Sequence, residues 1–305
     1  MNRRDLLKQS AALSITTAIP FSGLHAVQTP NAPMSDMAKL NPPAEGTIPV
    51  AFVLSDGAVV IDFCGPWEVF QDVHIPDRKD HMPFHLYTVA ETTSPIEASG
   101  GMKVLPSYTF ETAPAPKVIV IPAQRKPSEA MLAWIRKSAK AADITMSVCT
   151  GAFVLARTGL LAGKSATTHH SAYRQLAMEY PDINVKRGAR FVENGNLATA
   201  GGLSSGIDLA LRVVERYFGT QVAKDTAYQM EYQGQGWTNP NSNEEYEQVR
   251  VSTDAHPVCP VCEMDVDVAT APKAVYKGKT YYFCSTDHKQ LFDATPEKYI
   301  EAAKN

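Results

Sequence analysis

Two sets of residues in this chain carry chemistry in their type and spacing. The first centres on one cysteine, Cys149, in the run Ile144-Thr-Met-Ser-Val-Cys-Thr-Gly-Ala-Phe. An apolar, β-prone stretch runs straight into a helical pattern, with the sulfur at the junction. The free N–H groups and the dipole of a helix N-terminus favour a thiolate there. Gly151 would let the backbone turn tightly and come close to a substrate. This is the logic of a nucleophile elbow with sulfur as the attacking atom; the competing reading is a packing cysteine in a tight turn.

The second set lies near the C-terminus. Cys259 and Cys262 form a C-x-x-C pair, and Cys284 and His288 a C-x-x-x-H pair entering a short helix. Two pairs from separated turns each supply one edge of a tetrahedron, and sulfur with imidazole suits Zn²⁺ or Cu⁺. The module spans 256–305 and has too few large apolar groups to fold without a staple. Tyr276, Tyr281, Tyr282, Phe283, Phe292 and Tyr299 are its expected core. A Cys259–Cys262 or Cys262–Cys284 disulfide is the alternative in an oxidising compartment.

The elements that must position Cys149 are legible as short apolar runs separated by helical patterns. Ile48-Pro-Val-Ala-Phe-Val-Leu, 117–123 and 143–148 read as strands buried on both faces. Residues 128–142 place Met131, Leu132, Ile135 and Ala139 on one helical face, with Ser128 as cap. Further helices are expected at 151–160, 171–179 and 205–218, the last capped by Ser204 or Ser205. Asn194-Gly195 marks a hairpin. Strands alternating with helices imply an open, layered α/β fold. Residues 27–47 and 233–255, rich in polar and turn-forming residues, read as linkers around a domain at 48–232.

A formal net charge of −3 gives no nucleic-acid footprint. At the N-terminus, Arg3-Arg4 precedes a short apolar stretch interrupted by Thr16, Thr17 and Pro20, too short for a stable membrane span. Residues 1–26 therefore resemble a twin-arginine (Tat) export signal cut after Ala26, which predicts a periplasmic or otherwise exported protein.

Three ordered motifs carry a wider resemblance: IDFCGPWEVF at 61–70, SVCTGAFVLARTGLLAGKSATTH at 147–169 and LATAGGLSSGIDLALRVVERYFG at 197–219. Over about 48–236 the chain resembles the ThiJ/PfpI superfamily (class I glutamine amidotransferase-like). The likeness is to the branch holding isonitrile hydratases and the amidase-like domains of some transcription regulators. That resemblance implies a flavodoxin-like three-layer α/β sandwich with a mostly parallel sheet. It also implies a catalytic Cys149 with Asp62 beside it to manage a proton. Thr150 would stabilise a developing anion, where protease-like relatives have His. His169 matches a structural position. The family commonly has Gly-Gly after the third strand; here Pro122-Ala123-Gln124 keeps backbone N–H groups but makes the wall bulkier. Cys64 stands where Thr or a small residue is expected, and is read as core packing, with a Cys64–Cys149 disulfide as the alternative.

The C-terminal stretch resembles a YHS domain of the TRASH-like group, through Val261-Cys-Glu-Met, Tyr276 to Cys284 and Pro296-x-Lys-Tyr299. Usual members have Cys at the position of His288, so this site is less thiophilic. Together these features imply a small α+β metal-binding module, with zinc and copper both open, and no cofactor in the α/β domain. A small-molecule substrate and a metal ion are the expected partners, with no nucleic acid. Relatives of this type are often dimers, so a homodimer is an assembly to test. The leading functional reading is an isonitrile hydratase-like lyase or C–N hydrolase. The alternatives are a non-enzymatic metal sensor or carrier, and a redox or stress-response protein.

Overall fold

Runs of β-branched residues become the centre of a seven-stranded sheet. The computed structural model describes residues 38–301 apart from 80, 126, 251, 254 and 255. The segment read as an export signal lies outside the described residues. In chain order the strands of the α/β domain are β1 (Ile48–Val53), β2 (Phe84–Ala90), β3 (Ile96–Glu97), β4 (Lys103–Val104), β5 (Tyr108–Thr109), β6 (Val118–Ile121), β7 (Ile144–Val148), β8 (Ser165–Ala166), β9 (Asn184–Val185), β10 (Phe191–Asn194) and β11 (Leu197–Ala200). The main sheet has the order β10-β11-β7-β6-β1-β2-β5, and every pairing is parallel except the β10–β11 hairpin. Gly195 turns that hairpin at φ 62°. β2 and β5 extend the sheet beyond the strands expected from the sequence.

The helices are α1 (Val60–Gln71), α2 (Glu129–Ser138), α3 (Gly151–Arg157), α4 (Tyr173–Glu179), α5 (Ser205–Phe218) and α6 (Thr220–Gln229). They cover both faces of the sheet, and the side-chain period of two sorts each strand between two cores. Val50 and Phe52 of β1, Val118 and Val120 of β6, and Met146 of β7 join the core that includes Leu209 and Val213 of α5. Ala51 and Val53, with Ile119 and Ile121, join the core that includes Leu132 and Ile135 of α2 and Leu155 of α3. Each such side chain contributes about 1.5–3 kcal/mol on burial. Thus β1 and β6 are held by an apolar core on each side, while β7 turns Ile144, Met146 and Val148 to one core and the buried polar Thr145 and Ser147 to the other face.

Ser128 caps α2 as expected, accepting from Met131 N at 3.2 Å. The expected cap of α5 is not made: Ser204 has helical backbone angles, no side-chain cap bond, and accepts from Arg190 instead. The stretch 233–255 does not run free along its whole length. Trp237 is buried and its N–H donates to Asp208 at 2.9 Å, while Asn243 accepts from Arg190 at 3.2 Å.

The C-terminal module pairs β12 (Lys273–Tyr276) with β13 (Lys279–Tyr282) and adds α7 (Thr286–Ala294) and α8 (Pro296–Glu301). Phe283, Phe292 and Tyr299 are buried with Cys259, Val261 and Cys262; Tyr276 and Tyr281 pack at the margin. Tyr282 instead lines a crevice. Among the described residues no helix is long and apolar enough to cross a membrane.

Candidate functional site

β7 ends at Val148 and α3 begins at Gly151, so Cys149 and Thr150 make the whole connection. Cys149 has φ 57°, a left-handed conformation that costs a non-glycine residue on the order of 1–3 kcal/mol. Its neighbours over-determine it. Cys149 N donates to Gly201 O at 2.9 Å, and the Thr168 hydroxyl donates to Cys149 O at 2.9 Å. The sulfur also accepts backbone N–H bonds from Thr150 and Leu203 and interacts with the Thr150 side chain. This is an elbow held under strain at the C-terminal edge of the sheet.

Gly151 serves a purpose other than the one expected. A Cβ there would sit 2.3 Å from Ile121 O and 2.8 Å from Pro122. Glycine is needed so that α3 can approach the end of β6, and this close approach fixes the elbow rather than admitting substrate.

Asp62 lies in the first turn of α1, fully buried, and interacts with the Cys149 thiol. Its Oδ2 accepts from Ala123 N at 3.1 Å. Thus Ala123, in the stretch that stands where the Gly-Gly pair is expected, spends its N–H on the carboxyl group. Burial pushes the Asp62 carboxyl up to about 7, opposed by the Ala123 bond and the thiol. The expected thiolate at Cys149 is not favoured. Burial, and then the charge of Asp62, push the thiol up to about 11, and the N–H groups of Thr150 and Leu203 recover only part of this. The seven-residue helix offers less than the buried environment takes away. Asp62 thus faces the thiol with its carboxyl held near 7, and its Oδ1 is buried without a hydrogen-bond partner.

Cys149 is 7% exposed, and the apolar side chains flanking this pair, Ile61 and Leu203, are 41% and 43% exposed. Cys64 and Cys149 are both free thiols. His169 packs its ring so tightly on Gly202 that a Cβ there would lie 2.5 Å from its Cδ2. Its Nδ1 meets the Ser171 hydroxyl at 2.8 Å, and burial draws it down to about 4, so it is a neutral buttress for the loop that carries Leu203. The sequence reading allowed for backbone N–H groups at Pro122-Ala123-Gln124 but missed that of Leu203, because a backbone donor leaves no mark in residue type.

The second cluster is complete. One donor atom each from Cys259, Cys262, Cys284 and His288 lies within 4.8 Å of every other. The sulfurs of Cys262 and Cys284 are 3.4 Å apart, and His288 Nδ1 is 3.1 Å from Cys284 and 3.7 Å from Cys259. The edges of a tetrahedron with Zn–S bonds of ~2.3 Å are ~3.7 Å, so the four donors fit a metal ion. All of these cysteines are free rather than disulfide-bonded. The Cys259 sulfur accepts N–H bonds from Cys284 and Val261, and the Cys262 sulfur one from Met264. Hydrogen bonding from Cys262, then from His288, draws the Cys259 thiol down; the same sulfur–sulfur bond and burial push Cys262 up. Ser285 caps α7 by accepting from His288 N at 3.2 Å, which fixes the imidazole in the first turn.

Comparison with known proteins agrees with this geometry. Residues 258–303 match the model of the YHS domain. The isonitrile hydratase of Pseudomonas putida is 36% identical over 188 residues, covering 60% of this chain and 78% of that protein. The HTH-type transcriptional regulator CdhR of Pseudomonas aeruginosa is 26% identical over 182 residues, 58% of this chain and 53% of the regulator. A ThiJ/PfpI family protein from Pseudomonas syringae superposes with a TM-score of 0.56 at 27% identity, covering 69% of this chain and 84% of that one. Drosophila melanogaster DJ-1beta, at 17% identity and a TM-score of 0.52 over 61% of this chain and 98% of its own, shares the fold. Residues 49–216 match the model of the DJ-1/PfpI family, and on that match, over more than half its length, the chain belongs to the DJ-1/PfpI family.

Proposed function

We propose that the chain is a cysteine-dependent enzyme of the isonitrile hydratase type, acting on a small carbon–nitrogen compound after export by the twin-arginine route to the periplasm. The observation that carries this reading is the buried Asp62 carboxyl, titrating near neutrality, against the strained Cys149 thiol. The relationship to the hydratase of Pseudomonas putida supports the reaction class. The thiol gives its proton to the Asp62 carboxylate as the sulfur bonds to the terminal isocyanide carbon, and Asp62 passes that proton to the same carbon. The product of this step is an enzyme-bound thioimidate. Water then adds to the C=N carbon, with Asp62 taking one water proton and returning it to nitrogen. Collapse of the adduct breaks the C–S bond, releases the N-substituted formamide and restores the thiol. One isocyanide and one water are consumed. The Thr150 N–H and side chain steady the sulfur as charge builds.

The test is incubation of the purified chain with a panel of alkyl and aryl isocyanides, following loss of the N≡C stretch and appearance of the formamide. Turnover that disappears in Cys149→Ala supports the proposal. Failure across the panel, or equal turnover by the variant, refutes it.

A second reading, a non-enzymatic metal sensor or carrier, is favoured by the four-donor cluster. In both readings Cys259, Cys262, Cys284 and His288 would hold a zinc or copper ion, which supplies a cross-link between the C-x-x-C turn and α7. A redox role for Cys149 is disfavoured by its raised thiol, because oxidation-sensing cysteines are low-pKa and solvent-accessible.

A further inference from the structure

The C-terminal module sits on α4 of the α/β domain. Met178, one helical turn after Arg174, packs against the module's core. Arg174 Nη2 donates to the Tyr299 carbonyl oxygen. Its Nε is buried with no hydrogen-bond partner. Arg174 also shares a crevice of about 270 Å³ with Cys259 and Glu263.

Buried cations need compensating negative charge. The carboxylate that acts on it most strongly is Glu263, directly after Cys262 in the chain and held at φ 63°. Glu263 is already taken. Arg187 grips it with Nη2 at 2.6 Å and Nη1 at 3.4 Å, and the Arg250 backbone N–H adds a bond at 3.2 Å. One carboxylate therefore serves two guanidinium groups, Arg174 and Arg187, while the Arg250 guanidinium bonds the Glu263 carbonyl oxygen and pairs with Asp265. The Cys259 sulfur lines the same crevice as Arg174, and the two attract each other. Three thiolates and an imidazole around a divalent ion carry a net charge of about −1, and around a monovalent ion about −2.

We propose that Arg174 is a positioning residue for the metal centre: a cation lent by the α/β domain that offsets the surplus negative charge of the metal–thiolate set and locks the module onto α4. This rests on the reading that the four donors bind a metal. The metal affinity of the module is then conditional on the docked α/β domain, and the centre is a fixed part of the molecule rather than a swinging carrier.

The test uses the full chain with Co²⁺ as probe, read by sulfur-to-cobalt charge-transfer absorption in competition with a chelator. Loss of an outer-shell partner costs about 10–100-fold in metal affinity. Arg174→Gln should weaken Co²⁺ binding about tenfold or more, Arg174→Lys should retain most of it, and Lys279→Gln, on the rim of the same crevice, should bind as wild type does. Wild-type affinity in Arg174→Gln overturns the inference, as does a loss in Arg174→Lys equal to that in Arg174→Gln. A wild-type chain that takes up no cobalt overturns the metal reading itself and this inference with it. Should Arg174→Gln fail to fold by circular dichroism, amide exchange in the wild-type chain decides. Cobalt that slows exchange in 173–179 supports the coupling, and unchanged exchange there overturns it.

Discussion

Replacing Asp62 by Asn should stabilise the α/β domain at alkaline pH while abolishing turnover. The folded environment holds the Asp62 carboxyl at about 7, against 3.8 for the free group, chiefly through burial. A group whose folded pKa is raised contributes stability that is fully present below its unfolded pKa. That contribution is lost as pH rises through the folded value. A shift of about three units corresponds to about 4 kcal/mol at 1.36 kcal/mol per unit, lost between roughly pH 4 and pH 8. Asn carries no charge to desolvate, and its carbonyl oxygen can still accept the Ala123 N–H bond. Urea unfolding of both proteins at pH 5 and pH 8, read from a signal of the α/β domain, should show the variant gaining about 2–3 kcal/mol relative to wild type over that interval. Parallel pH dependence in the two proteins would refute the claim that Asp62 is buried at the cost of its charge.

Three further outcomes follow from the same geometry. Gly151→Ala puts a Cβ 2.3 Å from Ile121 O, where only backbone can yield; it should destabilise the domain by about 3 kcal/mol and displace the elbow, as thermal unfolding and activity will show. Alkylation of Cys149, mapped by peptide mass spectrometry, should be slow at pH 7 and rise about tenfold per pH unit toward the thiol value of about 11, because only the thiolate reacts. In Asp62→Asn it should be faster at every pH above 7, since the opposing carboxylate charge is gone. Cys284→Ala removes one of four donors whose mutual spacing suits a tetrahedral ion, and should abolish tight cobalt or zinc uptake by equilibrium dialysis while leaving the far-UV spectrum of the α/β domain in place.

The parts of the fold that are legible in the sequence are those set by local pattern. The runs 118–121 and 144–148 are almost continuously apolar or β-branched, and the helix behind the serine cap has an apolar stripe, so each forms within the range read, although the helix stops at Ser138 rather than running to 142. The strand at 84–90 is interrupted by His85 and Thr88 and forms because β1 offers it a partner along its whole length. The Trp237 segment escapes a local reading for the same reason: its partner Asp208 is 29 residues away and itself paired with Arg190. At the candidate site, the strand-to-helix junction brought Cys149 to notice, while Asp62 and Thr150 came from the family resemblance. A raised Asp62 carboxyl follows from placing it buried beside a sulfur; the raised Cys149 thiol was not legible, because the helix N-terminus argues for a thiolate and only the depth of burial overrides it. The metal donors were readable from spacing alone, whereas Arg174 and Arg187 were not, since nothing in the α4 sequence or the loop after it announces a module more than 70 residues downstream.

The central claim is that the Cys149 sulfur forms a covalent bond with the substrate under the control of Asp62. Rapid quench of the full chain with an alkyl isocyanide, followed by peptide mass spectrometry, tests it most directly. The account predicts an adduct equal to the mass of the isocyanide on Cys149, absent from Cys64, and formed far more slowly in Asp62→Asn. Formamide production by the wild-type chain with Cys149 unmodified at every time point, and by Cys149→Ala at the same rate, would contradict it.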